Sequence, residues 1–224
     1  MKQAVNALTF YPHFFTASLP HIWVINMNKG STKQRIAVFA SGTGTNAQKI
    51  IEHFSSHPTI SVDLIVCNKP EAGVLGIAQK FEIPSLLIDK QKFEKDGYII
   101  ELKQYNIHFI VLAGFLWKIP PILIQAFQNS MINIHPALLP KYGGKGMYGA
   151  RVHETVLQAR EIESGITIHI VDEHYDHGKV IFQATCPVFT ADTAETLSTR
   201  IHTLEHAHYP RVIEEILEKR NSNE

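Results

Sequence analysis

Asn133 and His135 stand two positions apart in the run Asn133-Ile134-His135-Pro136-Ala137-Leu138-Leu139-Pro140-Lys141-Tyr142. Ser130-Met131-Ile132 leads into them as a short apolar strand, and on a strand residues i and i+2 point to the same side. A carboxamide and an imidazole therefore face one volume. Pro136 and Pro140 stiffen the chain that leaves them. A hydrogen-bond donor beside a titratable ring on a rigid turn is suited to stabilising an oxyanion and moving a proton. The plainer alternative is an Asn–His pair that satisfies backbone groups at a strand end. Four residues by themselves favour that alternative, so the decision rests with the rest of the chain.

The elements that must position this pair are legible as an alternation. Residues 35–40 form an apolar run of strand length, as expected for a parallel strand buried on both faces. It enters Ser41-Gly42-Thr43-Gly44-Thr45-Asn46 and then a helical pattern with Ile50, Ile51 and Phe54. A strand, a Gly-rich turn and a helix start expose free N–H groups to an anion. The turn lacks the lysine of a P-loop and the third glycine of the dinucleotide fingerprint, so it suits a single phosphate. A tight strand-to-helix turn with no ligand explains the glycines equally well. Further strands are expected at 62–67, 85–88 and 108–114, with helices over 73–81 and 91–105 between them. Such alternation predicts an α/β, doubly wound, mostly parallel sheet. Ligands on such sheets bind beyond the carboxyl ends of the strands. The glycine turn, Ala113-Gly114-Phe115 and the Asn133/His135 pair all fall at such ends. Phe115 to Ile119 then either line a slot for a flat ligand or pack as ordinary apolar residues.

Beyond the Asn–His run, Gly143-Gly144-Lys145-Gly146 is irregular and a helix is expected over 151–160. Residues 165–171 and 180–184 pair as a hairpin around Asp172-Glu173-His174-Tyr175-Asp176-His177-Gly178. A last helix is capped by Asp192 and Glu195 at capping-box spacing, with Leu197, Ile201 and Leu204 inward. Pro210 is expected to break it before Val212, Ile213, Ile216 and Leu217 resume. Two segments imitate metal sites. His202-Thr203-Leu204-Glu205-His206 matches an inverted zinc-peptidase pattern, a cheap match among 13 histidines. Asp172, His174, Asp176 and His177 offer ligands too, but turn carboxylates and solvated rings explain them as well. No metal is assigned.

Composition narrows the class. Lys plus Arg and Asp plus Glu each number 21, so no charge footprint marks nucleic acid or an anionic membrane as partner. At 224 residues and 45% hydrophobic, the chain can bury a sizeable core. Cys67 and Cys186 sit in apolar strands without a CxxC spacing and read as buried thiols of a reducing, cytoplasmic compartment. No run reaches transmembrane length. Residues 1–33 are expected to be an extension outside the fold, with Met27 as an alternative start, residues 34–219 a single domain and 220–224 a polar tail.

Taken together, Ser41 to Asn46, Leu112 to Phe115, Asn133 to Tyr142 and Tyr175-Asp176-His177-Gly178 resemble, in order and spacing, the phosphoribosylglycinamide formyltransferases of the formyltransferase superfamily. The resemblance runs from about Arg35 to Arg211. It implies a Rossmann-like formyltransferase fold with a C-terminal antiparallel hairpin and long helix. It implies transfer of a formyl group from 10-formyltetrahydrofolate, as co-substrate, to the amine of 5′-phosphoribosylglycinamide in purine synthesis. Asn133, His135 and Asp176 then match the catalytic Asn, His and Asp. Gly44, Thr45 and Asn46 match the loop that holds the substrate phosphate, and Glu205 the acidic residue that contacts the ribotide. Leu116, Trp117, Lys118 and Ile119, with Asn133, match the folate slot. The chain departs from the family at Trp117, Gly143-Gly144, the insertion around Lys145 to Tyr148, and His177. Asp176 is expected to hold His135 protonated. The rivals are a formyltetrahydrofolate hydrolase, whose regulatory domain residues 1–33 are too short to form, and a methionyl-tRNA formyltransferase, which needs a basic C-terminal domain. A zinc peptidase and a non-catalytic phosphometabolite-binding protein are the others.

Overall fold

The computed structural model describes residues 33–223, and the expected extension and its start at Met27 lie outside them. Seven strands form one sheet: β1 (Gln34–Ala40), β2 (Ile60–Cys67), β3 (Ser85–Leu87), β4 (Phe109–Leu112), β5 (Met131–His135), β6 (Glu163–Ile170) and β7 (Val180–Pro187). Their spatial order is β3-β2-β1-β4-β5-β6-β7. The pairs from β3 to β5 are parallel, and β5–β6 and β6–β7 are antiparallel. The chain first winds outward from β1 through β2 to β3, then crosses back to lay β4 on the other side of β1. The loops leaving β1 and β4 therefore diverge, and a crevice opens between them at the carboxyl edge.

Alternation along β1 explains why both faces are covered. Ile36, Val38 and Ala40 join one buried cluster, which includes Ile50 and Ile51 of α1 (Thr45–Phe54) and Ile201 and Ile213 of the last helix. Ala37 and Phe39 join the opposite cluster, with Phe93, Leu102 and Leu123 from the helices over there. Val74 and Ala78 of α2 (Gly73–Lys80) and Val156 of α6 (Ala150–Gln158) complete the first face. Cys67 and Cys186 are buried free thiols. Among the described residues, no helix is long and apolar enough to cross a membrane.

Three elements differ from expectation. The helix expected over 91–105 is two, α3 (Lys90–Asp96) and α4 (Ile99–Gln104), because Gly97 and Tyr98 both take left-handed backbone. A Cβ on Gly97 would lie 2.9 Å from Leu123 Cβ, so the break also lets α5 (Pro121–Ala126) pack close. That short helix opens at Pro121, where proline's missing N–H costs nothing. Pro210 does not end the last helix either: α7 runs Ala194–Asn223. Its neighbour Tyr209 is fully buried and donates its hydroxyl to Leu112 O at 2.9 Å, which pins the helix to the end of β4. Burial of both residue 209 and its flank outweighs one lost helical hydrogen bond. The cap of α7 is a reciprocal Thr193–Thr196 pair at 2.9 and 3.2 Å rather than Asp192 with Glu195. Asp192 instead forks onto Arg200 at 2.8 and 3.0 Å. The helix also continues through residues 220–223, expected as a polar tail, and Asn221 accepts from Gln34 at 2.7 Å.

Candidate functional site

A cavity of about 1020 Å³ opens at the carboxyl edge between β1, β4 and β5, and its wall contains every site residue expected from the sequence: Gly44, Thr45, Asn46, Leu116, Trp117, Lys118, Ile119, Asn133, His135, Asp176 and Glu205. The turn after His135 is held by a hydrogen-bond network centred on the buried Thr167. Thr167, opposite His135 on β6, donates to Ala137 O at 2.7 Å and accepts from Leu139 N at 3.0 Å. Gln183 of β7 donates to Leu139 O at 3.0 Å and to the Thr167 hydroxyl at 2.8 Å. Each buried polar group has a partner, so the turn is rigid.

Asp176 reaches the pair from the β6–β7 loop in a left-handed backbone conformation, φ 52°. One oxygen accepts the Gly144 N–H at 2.9 Å and lies 3.5 Å from His135 Nδ1; the other is 3.4 Å from Asn133 Nδ2. A Cβ on Gly143 would fall 3.1 Å from Asp176 Cβ and closer still to Leu139, so the glycine makes room for this approach. His135 Nε2 is 2.8 Å from the Tyr142 carbonyl, which can only accept, so Nε2 carries the proton and Nδ1 faces the carboxylate. Burial pushes the His135 imidazole below its ordinary value; the Asp176 charge and the Tyr142 carbonyl pull upward without prevailing. The expectation that Asp176 keeps this ring charged is thereby corrected. At 3.5 Å without a direct hydrogen bond, the attraction does not repay desolvation of an imidazolium. Burial raises the Asp176 carboxyl, but the neighbouring His169 and His135 rings and the Gly144 N–H bring it below the usual range.

His169 was not foreseen as part of the site. It pairs with Asn133 across β5–β6. Its Nδ1 donates to Ile170 O at 2.8 Å, which leaves Nε2 to accept from Asn133 Nδ2 at 3.1 Å. The carboxamide is thus oriented by one good hydrogen bond, and its second hydrogen makes only the long contact to Asp176. That hydrogen is available to a competing oxygen. Thr167 and His169 share one side of β6, opposite Ile166, Ile168 and Ile170, but which neighbour that side meets is set by strand pairing and is not written in β6 itself.

At the other end, Gly44 caps α1 with φ 81° and no side chain caps the first-turn N–H groups. A Cβ there would sit 2.8 Å from Val74 Cα, so glycine is required by packing as well as by backbone geometry. Asn46 Nδ2 donates to Glu205 Oε2 at 2.8 Å, and His202 Nδ1 stands 2.8 Å from the same oxygen. This hydrogen bond to Glu205 raises the His202 imidazole. Asn46 Oδ1 and His153 Nδ1, two buried atoms on residues of the same wall, have no partner among the described residues. His153, on α6, was likewise not foreseen; burial lowers its pKa. An unpaired buried polar atom calls for a partner, such as an ordered water. The zinc-peptidase pattern does not converge here: His202 is engaged by Glu205, and the His206 ring lies parallel to it at 6.1 Å.

Between these ends and solvent lies an aromatic wall. Phe115 meets Phe39 at 5.4 Å and Phe93 at 5.7 Å, and Trp117 meets Phe93 at 5.9 Å between ring centroids. Leu116 is exposed to the cavity, Ile119 is buried beneath it, and Lys118 Nζ stands 6.0 Å from the centre of the Tyr175 ring. Leu116 N donates to Ser41 Oγ at 3.0 Å, which ties this segment to the glycine turn.

The formyl transferase family model matches residues 34–213. A phosphoribosylglycinamide formyltransferase of Bacillus subtilis (strain 168) is 37% identical over 197 residues, covering 85% of this chain and 98% of its own length. The chloroplastic phosphoribosylglycinamide formyltransferase of Vigna unguiculata is 42% identical over 196 residues, 84% of this chain; the match spans only 62% of that relative. Among solved structures, the phosphoribosylglycinamide formyltransferase of Bacillus halodurans superposes with a TM-score of 0.75 at 35% identity, covering 82% of this chain and 95% of that one. The Anaplasma phagocytophilum enzyme of the same name gives 0.77 at 31%, covering 84% and 89%.

Proposed function

We infer the activity from one premise: this chain belongs to the formyl transferase family. Within it we read the chain as a phosphoribosylglycinamide formyltransferase. It transfers the formyl group of 10-formyltetrahydrofolate to the amine of 5′-phosphoribosylglycinamide, a step of de novo purine (IMP) synthesis, with tetrahydrofolate as co-product. The observation that carries this reading is one cavity whose wall holds a strand-to-helix turn with uncapped N–H groups, an aromatic segment and the Asn133, His135 and Asp176 cluster. Uncapped N–H groups at Gly44, Thr45 and Asn46 suit a phosphate. Leu116 to Ile119, beside Phe115, suit a flat heterocycle. Glu205, with Asn46 and His202 in the same wall, suits the polar body of the ribotide.

The chemistry follows from the protonation states. The substrate amine attacks the formyl carbon and negative charge develops on the formyl oxygen. The second hydrogen of Asn133 Nδ2 is the donor to that oxygen, a kind of interaction worth roughly 3 kcal/mol. A neutral His135 accepts the amine proton on Nδ1, because Nε2–H is already committed to Tyr142 O. The imidazolium so formed pairs with Asp176 and then delivers the proton to the departing folate nitrogen. Asp176 acts by stabilising that cation and by orienting the ring. This route calls on no metal. We assign the activity to the single domain of residues 34–219. Balanced charge and the small-molecule cavity support two small-molecule substrates and no nucleic-acid or membrane partner, and the buried free thiols Cys67 and Cys186 fit a reducing, cytoplasmic place, although the Vigna relative is named as chloroplastic. A spectrophotometric assay with glycinamide ribotide and 10-formyl-folate tests the reading. Turnover that requires both substrates supports it; folate deformylation without the ribotide identifies a hydrolase, and binding without turnover a phosphometabolite-binding protein.

A further inference from the structure

We propose that the loop between β6 and β7 carries a divalent transition-metal site made by Asp172, His174 and His177. One ligand atom from each lies within 4.8 Å of the other two. An ion with bonds of about 2.0–2.2 Å gathers such a set after small side-chain rotations. The carboxylate is already aimed: one oxygen accepts His174 N–H at 2.8 Å, and the other is 2.8 Å from His177 Nδ1. The His174 and His177 rings converge at 5.3 Å between centroids, tilted by 59°. Both rings are exposed, so an ion reaches them from water and sheds only part of its hydration, and the remaining positions stay with water.

The donor set selects the metal class. Two imidazoles and one carboxylate suit Zn²⁺, with Cu²⁺ binding more tightly in the usual order. Mg²⁺ and Ca²⁺ prefer all-oxygen shells and are disfavoured. None of the three residues is used by the formyl-transfer chemistry, so the site stands whether or not that reading holds. Its place gives it a consequence, because His174 and His177 flank Asp176 in the chain. An ion held by them ties down the segment that presents Asp176 to His135.

The full chain, freed of metal with a chelator that is then removed, is titrated with Co²⁺ by visible absorption and with Zn²⁺ by calorimetry. A saturable equivalent with the absorption of imidazole-bound Co²⁺ is expected, displaced by Zn²⁺. The His174→Ala/His177→Ala double variant is expected to bind one equivalent fewer. Each single variant should weaken that equivalent by at least the roughly tenfold that loss of a supporting group already costs. Because both rings are exposed, the variants keep the far-ultraviolet dichroism of the parent. His57, Glu214 and Glu218 also bring donors within 4.8 Å of one another, so His57→Ala is the control and should leave the loop equivalent intact. No saturable binding, or binding unchanged in the double variant, overturns the proposal.

Discussion

Replacing Asp176 by Asn tests the central geometry without changing its shape. The carboxylate lies 3.5 Å from His135 Nδ1, and both side chains are nearly enclosed. A unit charge pair at that separation attracts by roughly 4–5 kcal/mol at an effective dielectric constant of about 20. If the imidazolium exists only once the amine proton has moved, that attraction is realised after the ground state. Asp176→Asn should then lower kcat by about a thousandfold while both KM values change little. His135→Ala removes the base and should cost a similar factor. The double variant should be little worse than either single, because the two act as one unit. The pH profile gives an independent readout. The base must be neutral, so kcat/KM rises with pH through the His135 titration of the free enzyme. Burial holds that titration low and Asp176 pulls it upward. Asp176→Asn should therefore move the rising limb to lower pH. Additive losses in the double variant, or a limb that moves to higher pH, would refute the reasoning.

The phosphate end is better probed at Asn46 than at Gly44, where any side chain strains the backbone and meets Val74. Asn46→Asp sets a carboxylate against Glu205 and the expected phosphate, and should raise the ribotide KM by about tenfold or more for each 1.4 kcal/mol of repulsion; equal effects on the folate KM would mean the loop is only structural. Trp117→Ala should raise the folate KM selectively and cost about 1–2 kcal/mol of stability through lost packing on Phe93 and Phe115; an unchanged folate KM would place the slot elsewhere. Burial lowers the pKa of His135 and of His153, so the unfolded chain takes up their protons first as pH falls. Their contribution is complete above the ordinary imidazole value of about 6.5 and is lost below it. Melting temperature should fall between pH 7.5 and 5, and His153→Gln should flatten part of that fall; a melting temperature that rises on acidification would contradict both assignments.

Much of the fold was legible because burial on both faces leaves a simple mark. The runs Ile36 to Ala40, Leu64 to Cys67 and Phe109 to Ala113 are apolar without interruption, and each is followed within two residues by a glycine or asparagine that can turn. That placed the Gly44 turn, the Phe115 segment and the Asn133/His135 pair at one sheet edge before any coordinate. Local pattern was weaker where packing overrides propensity. Pro210 sits inside α7 because Tyr209 beside it is anchored on Leu112 O, a contact from across the chain. The break at Gly97 likewise answers to the close approach of Leu123.

What only the tertiary structure decided is which groups meet and in what charge state. Sequence order alone did not place Asp176 between Asn133 and His135, and the resemblance supplied its match only as an implication. Its left-handed backbone, the Gly144 N–H and the room left by Gly143 bring it there. His169 and His153 entered the site through strand register and helix packing, neither of which a single strand or helix announces. The protonation of His135 turned on the balance between its burial and a carboxylate held 3.5 Å away. Residue types list the possible charges; desolvation and distance, which belong to the packed chain, choose among them.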